Sequence, residues 1–600
     1  MKPTSAPAVA LLLAGTMCLL PFLVPYHQQP VLSFFPEWLA AALGAAAALA
    51  VLAGRGFRAD AALPVPLPWL AAFALFLALR AAAGGLAYPQ VSLLAALYVL
   101  YAGLMVLLGA QLAAAHGLER VTVVLAAFLL IGALANSAAG VIQFYGRPAL
   151  FEDIIAELRG SRAYGNIAQA NLYANYLALG AAALLFLWQR ARVRSAIAVA
   201  ALGLLVVASA LSGSRGALLY ALWFAALGPL AARVPGPTDA RRLKWGAYGI
   251  AAAFAVAHLA VPWVNGVLQA GRAQGVLERL AASPEEQGDP RLAIFAAALR
   301  VFALAPLAGA GMGEFAGAAF AQGLEPSLTR IGQVWTSPHS LPLQLLAEVG
   351  VIGAVLVLGA LAAWGLRLAR RYRVDPSPAL WWLAAAAGVE LLHALFEFPL
   401  WNAHFLGLTA LLLGASNAPR THVAATVGPV RGAAIAAVAA IAVTLAVLLR
   451  DYVRLDTARV TGTTATLAPA AQVQRDAGIM RELRHGLLAP KAELWVLIGA
   501  PLDRADLADK LAMSERVARS WPANAVIVRR AVLLALDGRS ADARALLADA
   551  LRTFPQERSA SVAILEQALS ADPAVVGALV EYEKATRDSP ARDRRREPPG

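Results

Sequence analysis

Residues 289–350 read DPRLAIFAAALRVFALAPLAGAGMGEFAGAAFAQGLEPSLTRIGQVWTSPHSLPLQLLAEVG. An arginine, Arg291, opens an apolar run from Leu292 to Leu307. A glycine-rich turn follows, then a polar loop, then Ser337-Pro338-His339-Ser340 at the mouth of a long apolar helix. Apolar runs that alternate with polar loops in this way belong at a membrane boundary. The composition of the whole chain agrees. Its 600 residues are 60% hydrophobic and 14% charged, and the mean hydropathy is +0.64. A water-soluble domain does not carry that apolar fraction, so the chain reads as an all-α, polytopic integral membrane protein.

About thirteen apolar segments reach the roughly 20 residues needed to cross a bilayer. They fall near 8–25, 37–53, 67–87, 91–115, 121–144, 168–188, 195–211, 216–232, 245–262, 341–366, 379–396, 400–416 and 431–449. Lys2, Arg55/Arg58, Arg120, Arg190/Arg192/Arg194, Arg233/Arg241/Arg242/Lys244, Arg367/Arg370/Arg371/Arg373 and Arg420/Arg431 lie on alternate loops. By the positive-inside rule those loops are cytoplasmic. The N-terminus is then an uncleaved first span with its start inside, and the segment 263–340 is a long outer loop, periplasmic in a bacterium. The net charge of +13 is accounted for by these loops and does not call for nucleic acid. The single cysteine, Cys18, excludes an intrachain disulfide and a cysteine metal cluster.

Composition changes after Leu449. The stretch 450–600 is charged and carries amphipathic helical patterns. Ser520-Trp521-Pro522 and Thr553-Phe554-Pro555 recur 33 residues apart, close to the period of tetratricopeptide helix pairs. The expected division is a membrane domain over 1–449 and an outer helical domain over 450–600, with a disordered tail at 592–600.

Several polar residues map to the outer face of this topology. Arg215, in Ser212-Gly213-Ser214-Arg215-Gly216, is either functional or an interfacial arginine reaching the headgroups. Arg291 is a second cation. The GAGMG turn (309–313) offers free amides to an anion, or is a plain turn. His339 has the chemistry of a base near neutral pH, or is a loop histidine without a task. Glu397, before Phe398-Pro399, is placed to orient His339 or an arginine, or simply marks a turn. Asn166, Gln169, Asn171 and Asn175 share one side of a helix start, suited to a hydroxyl-rich ligand or to capping and helix contacts. Arg80 lies within an apolar segment. No Asp-x-Asp, HExxH, Walker A or serine-elbow motif occurs, so no metal or cofactor is expected.

With these residues in hand, the chain resembles the bacterial O-antigen ligase and polymerase superfamily. The resemblance rests on SGSRGA (212–217), DPRLAIFAAAL with PLAGAGMGEF, and SPHSLPLQLLAEVGVIG (337–353). GNIAQANLYANYLALG (165–180), EFPLWNAHFLG (397–407), the first loop and the helical tail are most similar to the protein O-oligosaccharyltransferase branch. That resemblance implies transfer of a glycan from undecaprenyl pyrophosphate to a serine or threonine of a secreted protein such as a pilin, at the periplasmic face of the inner membrane. It implies that Arg215 and Arg291 hold the pyrophosphate, that His339 is the essential histidine, and that Gln169 is the amide of a Gln-x-Asn motif. Ser340 stands where asparagine is common in the family. Phe398, Asn402 and His404 stand where tyrosines are common, so Asn402 and His404 become candidates for acceptor contact. The alternatives are a ligase acting on lipid A-core, a polymerase, or a transporter or lipid flippase without chemistry.

Overall fold

In the computed structural model, every one of those apolar segments lies on a helix. The structure describes residues 6–53, 57, 63–267, 291–323, 335–417, 427–463, 470–570 and 572–588. Lys2, Arg55, Arg58, Arg420, the expected tail and parts of the 263–340 loop lie outside them. The membrane part is built from α1 (Ala6–Met17), α2 (Phe34–Ala53), α3 (Pro66–Ala82), α4 (Pro89–His116), α5 (Leu118–Tyr145), α6 (Ala170–Gln189), α7 (Ser195–Leu211), α8 (Gly216–Ala231) and α9 (Pro237–Val267). It continues through α10 (Arg291–Leu304), α11 (Phe315–Ala321), α12 (Leu341–Val374), α13 (Pro378–Ala394), α14 (Ala403–Ala415) and α15 (Val427–Thr463). Among the described residues, eight helical segments are long and apolar enough to cross a membrane by themselves.

α6 is the central post, with 94% of its apolar window inside the protein. Its Tyr173 and Tyr176, like Trp381 and Trp382 of α13, are fully buried. Small residues let the helices close on one another, as lipid-immersed bundles require. At the α4–α14 crossing, a Cβ on Gly414 would fall 2.0 Å from the Val106 carbonyl oxygen and one on Gly109 2.2 Å from that of Leu411.

Arginine-bearing ends meet at one end of the bundle. Arg190 pairs with Glu119 beside Arg120, Arg371 donates to the Ser416 carbonyl at 2.7 Å, and Arg431 donates to that of Leu52 at 2.7 Å. Arg80 falls in the last turn of α3 rather than mid-span, where a cation complements the carbonyl end of the helix dipole.

α12 differs from the uninterrupted span expected at 341–366. Gly350 has φ 63° and ψ −168°, which breaks the helix in two. The strap 305–313 crosses this break and satisfies it. Val351 N–H donates to the Pro306 carbonyl (2.8 Å), Ala310 N–H to that of Ala347 (2.9 Å) and Gly311 N–H to that of Glu348 (3.0 Å). The backbones lie so close that a Cβ on Gly309 would sit 2.2 Å from the Glu348 carbonyl carbon.

α15 runs straight through the expected boundary at 449 to Thr463, and its Tyr452, Leu455 and Ala458 pack on Met480, Leu483 and Leu488. Beyond it come α16 (Ala470–Leu483), α17 (Ala489–Gly499), α18 (Leu507–Ser520), α19 (Asn524–Leu536), α20 (Ser540–Thr553), α21 (Arg558–Leu569) and α22 (Pro573–Asp588). The repeated aromatic-Pro pairs end α18 and α20, equivalent helices of the array. This helical unit is bolted to the segment that follows the strap and to the turn between α3 and α4. Arg519 donates to Glu314 (Nε, 3.0 Å) and to the Gly85 carbonyl (2.7 Å). Tyr88 donates to Glu493 at 2.7 Å, and Phe554 stacks on Phe320.

Candidate functional site

The site assembles around one carboxylate. Glu397 sits just past α13, where Pro399 holds Phe398 out of the helical region and turns the chain. The residue is 4% exposed. Oε2 lies 2.8 Å from His339 Nδ1. Oε1 accepts from Arg291 Nη2 at 3.1 Å and from Asn171 Nδ2 at 2.6 Å. Burial by itself would raise this carboxyl. The His339 hydrogen bond, with His339, His393 and Arg291 nearby, holds it below the usual carboxylate range instead.

His339 is held from three directions. Its backbone has φ 51°, a left-handed conformation that costs a non-glycine residue about 1 kcal/mol or more. Its N–H donates to Ser337 Oγ at 3.1 Å. Its ring stands edge-on between Trp335 and Phe398, both at 4.9 Å. An ionised Glu397 is an acceptor only, so Nδ1 carries the proton and a neutral imidazole presents Nε2 as a lone pair. The side chain keeps 20% exposure, enough to meet a substrate.

Arg291 is the first residue of α10, and Arg215 precedes α8 at the α7–α8 turn. Both line one cavity of about 350 Å³ together with Asn171, Ser214, Tyr220, His393 and Glu397. Arg162 ties this wall together, donating to the Ser212 carbonyl (2.6 Å) and to Asn171 Oδ1 (2.8 Å).

Thus His339, Arg291, Asn171 and Glu397 meet directly, with Arg215 on the same cavity. The other candidates lie elsewhere. Gln169 caps α6, its side chain accepting from Leu172 N–H at 2.5 Å. Asn166 is consumed as a loop tie. It donates to the Leu23 and Ile154 carbonyls (2.9 and 2.8 Å) and accepts from Ala156 N–H at 2.9 Å. Asn402 precedes α14 and turns back on Pro399. His404 is buried against Phe22 and Phe405 in the helix core. The GAGMG turn presents no anion nest among its described amides. Gly311 N–H is spent on the Glu348 carbonyl, and Gly313 N–H donates to Glu348 Oε1 at 3.0 Å.

Three residues of the site escaped the sequence reading: Arg162, Tyr220 and His393. Tyr220 Oη lies 2.5 Å from His393 Nδ1. The available signal was spacing, since His393 precedes Glu397 by one helical turn and the Glu397 N–H donates to the His393 carbonyl.

Two cations and a buried carboxylate on one cavity, with an oriented imidazole held on that carboxylate, suit the release of an anionic group with proton abstraction. Residues 172–358, which contain Arg215, Arg291 and His339, match the O-antigen ligase family. Residues 380–568, which contain His393 and Glu397, match the C-terminal region of the virulence factor membrane-bound polymerases. The chain belongs to the O-antigen ligase and polymerase superfamily. It is accordingly a multi-pass membrane enzyme of glycosyltransferase type that joins a lipid-linked glycan to an acceptor. The two superfamily matches together span more than half of the chain, and each supplies one side of the Glu397–His339 contact. No curated protein matches the chain.

Proposed function

We propose that this protein transfers a glycan from undecaprenyl-pyrophosphate-linked oligosaccharide to serine or threonine hydroxyls of periplasmic proteins. What carries the reading is Glu397, which holds His339 Nδ1 at 2.8 Å and Arg291 at 3.1 Å beside the cavity that Arg215 lines. The acceptor O–H gives its proton to His339 Nε2. The freed oxygen pair forms the bond to sugar C1 as the C1–O bond to pyrophosphate breaks. The leaving pyrophosphate takes that electron pair. Arg215 and Arg291 neutralise its growing charge through forked hydrogen bonds. The diphosphate ester is already activated, so no nucleotide is consumed. A single displacement inverts the anomeric centre; retention in the product by NMR would rule this step out.

In this reading the site and the helical domain face the periplasm, because the arginine-bearing ends gather at the other end of the bundle. The helical domain, joined to Glu314 through Arg519, suits a polypeptide acceptor. One observation favours a second reading, ligation to lipid A-core. An apolar cavity of about 290 Å³ is lined by Leu341, Leu345, Leu400 and Trp401, close along the chain to His339 and Glu397, where an acyl chain would fit. The test offers purified protein a lipid-linked oligosaccharide with a pilin and with lipid A-core in parallel, using wild type and His339→Ala. Glycosylated pilin with wild type only is the expected result. Modified lipid A-core alone would move the acceptor to lipid, and transfer by His339→Ala at the wild-type rate would remove the base.

A further inference from the structure

A second cavity lies on the same helix as Arg215 but at its other end. α8 and its flanks carry Arg215 and Arg233 eighteen residues apart, or about 27 Å along a helix, close to the ~30 Å of a bilayer core. At the Arg233 end, α8, α12 and α13 enclose about 380 Å³. The walls are aromatic. Each indole N–H is already satisfied within the protein: Trp223 to the Ala385 carbonyl (3.1 Å), Trp381 to that of Leu227 (3.1 Å) and Trp364 to Ser416 Oγ (2.7 Å). The rings therefore ask nothing polar of an occupant. The mouth is cationic. Arg233 and Arg373 line it, both exposed, beside Tyr372, whose hydroxyl closes α12 onto α8 through the Leu230 carbonyl at 2.9 Å. Among the described residues no carboxylate forms an ion pair with either arginine.

We infer that this cavity is a binding site for an anionic glycerophospholipid of the leaflet opposite the Glu397 cluster. The lipid phosphate meets Arg233 and Arg373, and one acyl chain lies between the tryptophans. An apolar slot with a paired-guanidinium mouth matches an amphiphilic anion. It does not match a zwitterion, whose ammonium would face the same two cations, nor a free phosphate, which leaves the slot empty. Bound there, the lipid fills the space between α8 and α12 and so supports the helix whose other end presents Arg215. The inference does not rest on the transfer reaction.

The test is native mass spectrometry on the delipidated full-length protein, offered phosphatidylglycerol, cardiolipin and phosphatidylethanolamine at equal concentration. Wild type is expected to retain the anionic lipids about 30-fold over the zwitterion, from roughly 1 kcal/mol for each of the two arginines. Arg233→Ser with Arg373→Ser should abolish that preference. Gly365→Leu should displace lipid of either class while keeping both arginines, because Gly365 lines the cavity and a Cβ there meets nothing within 4 Å. Equal retention of all lipids by wild type, or unchanged retention in either variant, overturns the site. Full competition by inorganic phosphate, or preferential capture of undecaprenyl phosphate over phosphatidylglycerol, overturns the assigned occupant.

Discussion

Replacing Glu397 with glutamine separates two effects that act in opposite directions. The carboxylate holds His339 in the tautomer with Nε2 bare, and it is buried at 4% exposure with His339, Arg291 and Asn171 on its oxygens. A glutamine amide fits either tautomer of the ring and no longer stabilises the imidazolium that forms as the acceptor loses its proton. Loss of an oriented base contributes about 10²–10⁴-fold, so kcat should fall by that much. The same charge also repels the incoming pyrophosphate and competes for Arg291. At an effective dielectric of ~20 and a separation of ~8 Å, removing one unit of repulsion is worth roughly 2 kcal/mol, an upper limit of ~30-fold. Donor KM should therefore fall while kcat collapses. The assay is steady-state transfer in detergent with the lipid-linked donor varied, alongside a thermal melt to show that the variant is folded. A folded Glu397→Gln protein with kcat within threefold of wild type would refute the role of the carboxylate. A rise in donor KM would refute the charge competition.

The Glu397 carboxyl lies below its ordinary pKa, so its stabilising contribution is complete above the unfolded value of about 4.3 and is lost as pH falls through the folded value. The melting-temperature gap between wild type and Glu397→Gln should accordingly stay constant from pH 7 to about pH 5 and narrow only in stronger acid; a gap that closes near pH 6 would contradict this. Asn166→Ala should lower stability by about 2–3 kcal/mol through orphaned loop carbonyls and an orphaned amide, yet leave donor KM unchanged in the folded fraction. A selective KM effect there would restore a substrate role. Gly350→Ala should cost about 2–4 kcal/mol, from a left-handed φ and a Cβ 2.4 Å from the Leu307 carbonyl, read as a lower melting temperature. Tyr220→Phe should lower transfer several-fold by freeing the His393 ring, while the melt shifts by only the ~1 kcal/mol of one hydrogen bond. Unchanged transfer would make the pair purely structural.

The membrane architecture was legible because it rests on local properties. Twenty consecutive apolar residues must be helical in lipid, where each backbone amide needs a partner within its own segment. The same logic singled out Arg215, Arg291 and His339 as candidates, since polarity at the mouths of apolar helices sets them apart one by one. Three features depended instead on partners distant in sequence. Glu397 gathers residues 58, 106 and 226 positions away; its place before Phe398-Pro399 marked it as a partner for His339 or an arginine, but only folding joins all three on one carboxylate. The glycine turn offers free amides on paper. Folding spends those of Gly311 and Gly313 on the Glu348 carbonyl and side chain, because a helix broken at Gly350 has its own backbone to satisfy. Asn166 and His404 look available in a linear reading and are taken up by loops and by aromatic packing. Chain chemistry by itself determined that this protein is a helical membrane enzyme with two arginines and a histidine at the mouths of apolar helices. Which polar groups remain open to a substrate was decided by tertiary structure, since a hydrogen-bonding group can be spent only once and packing chooses its partner.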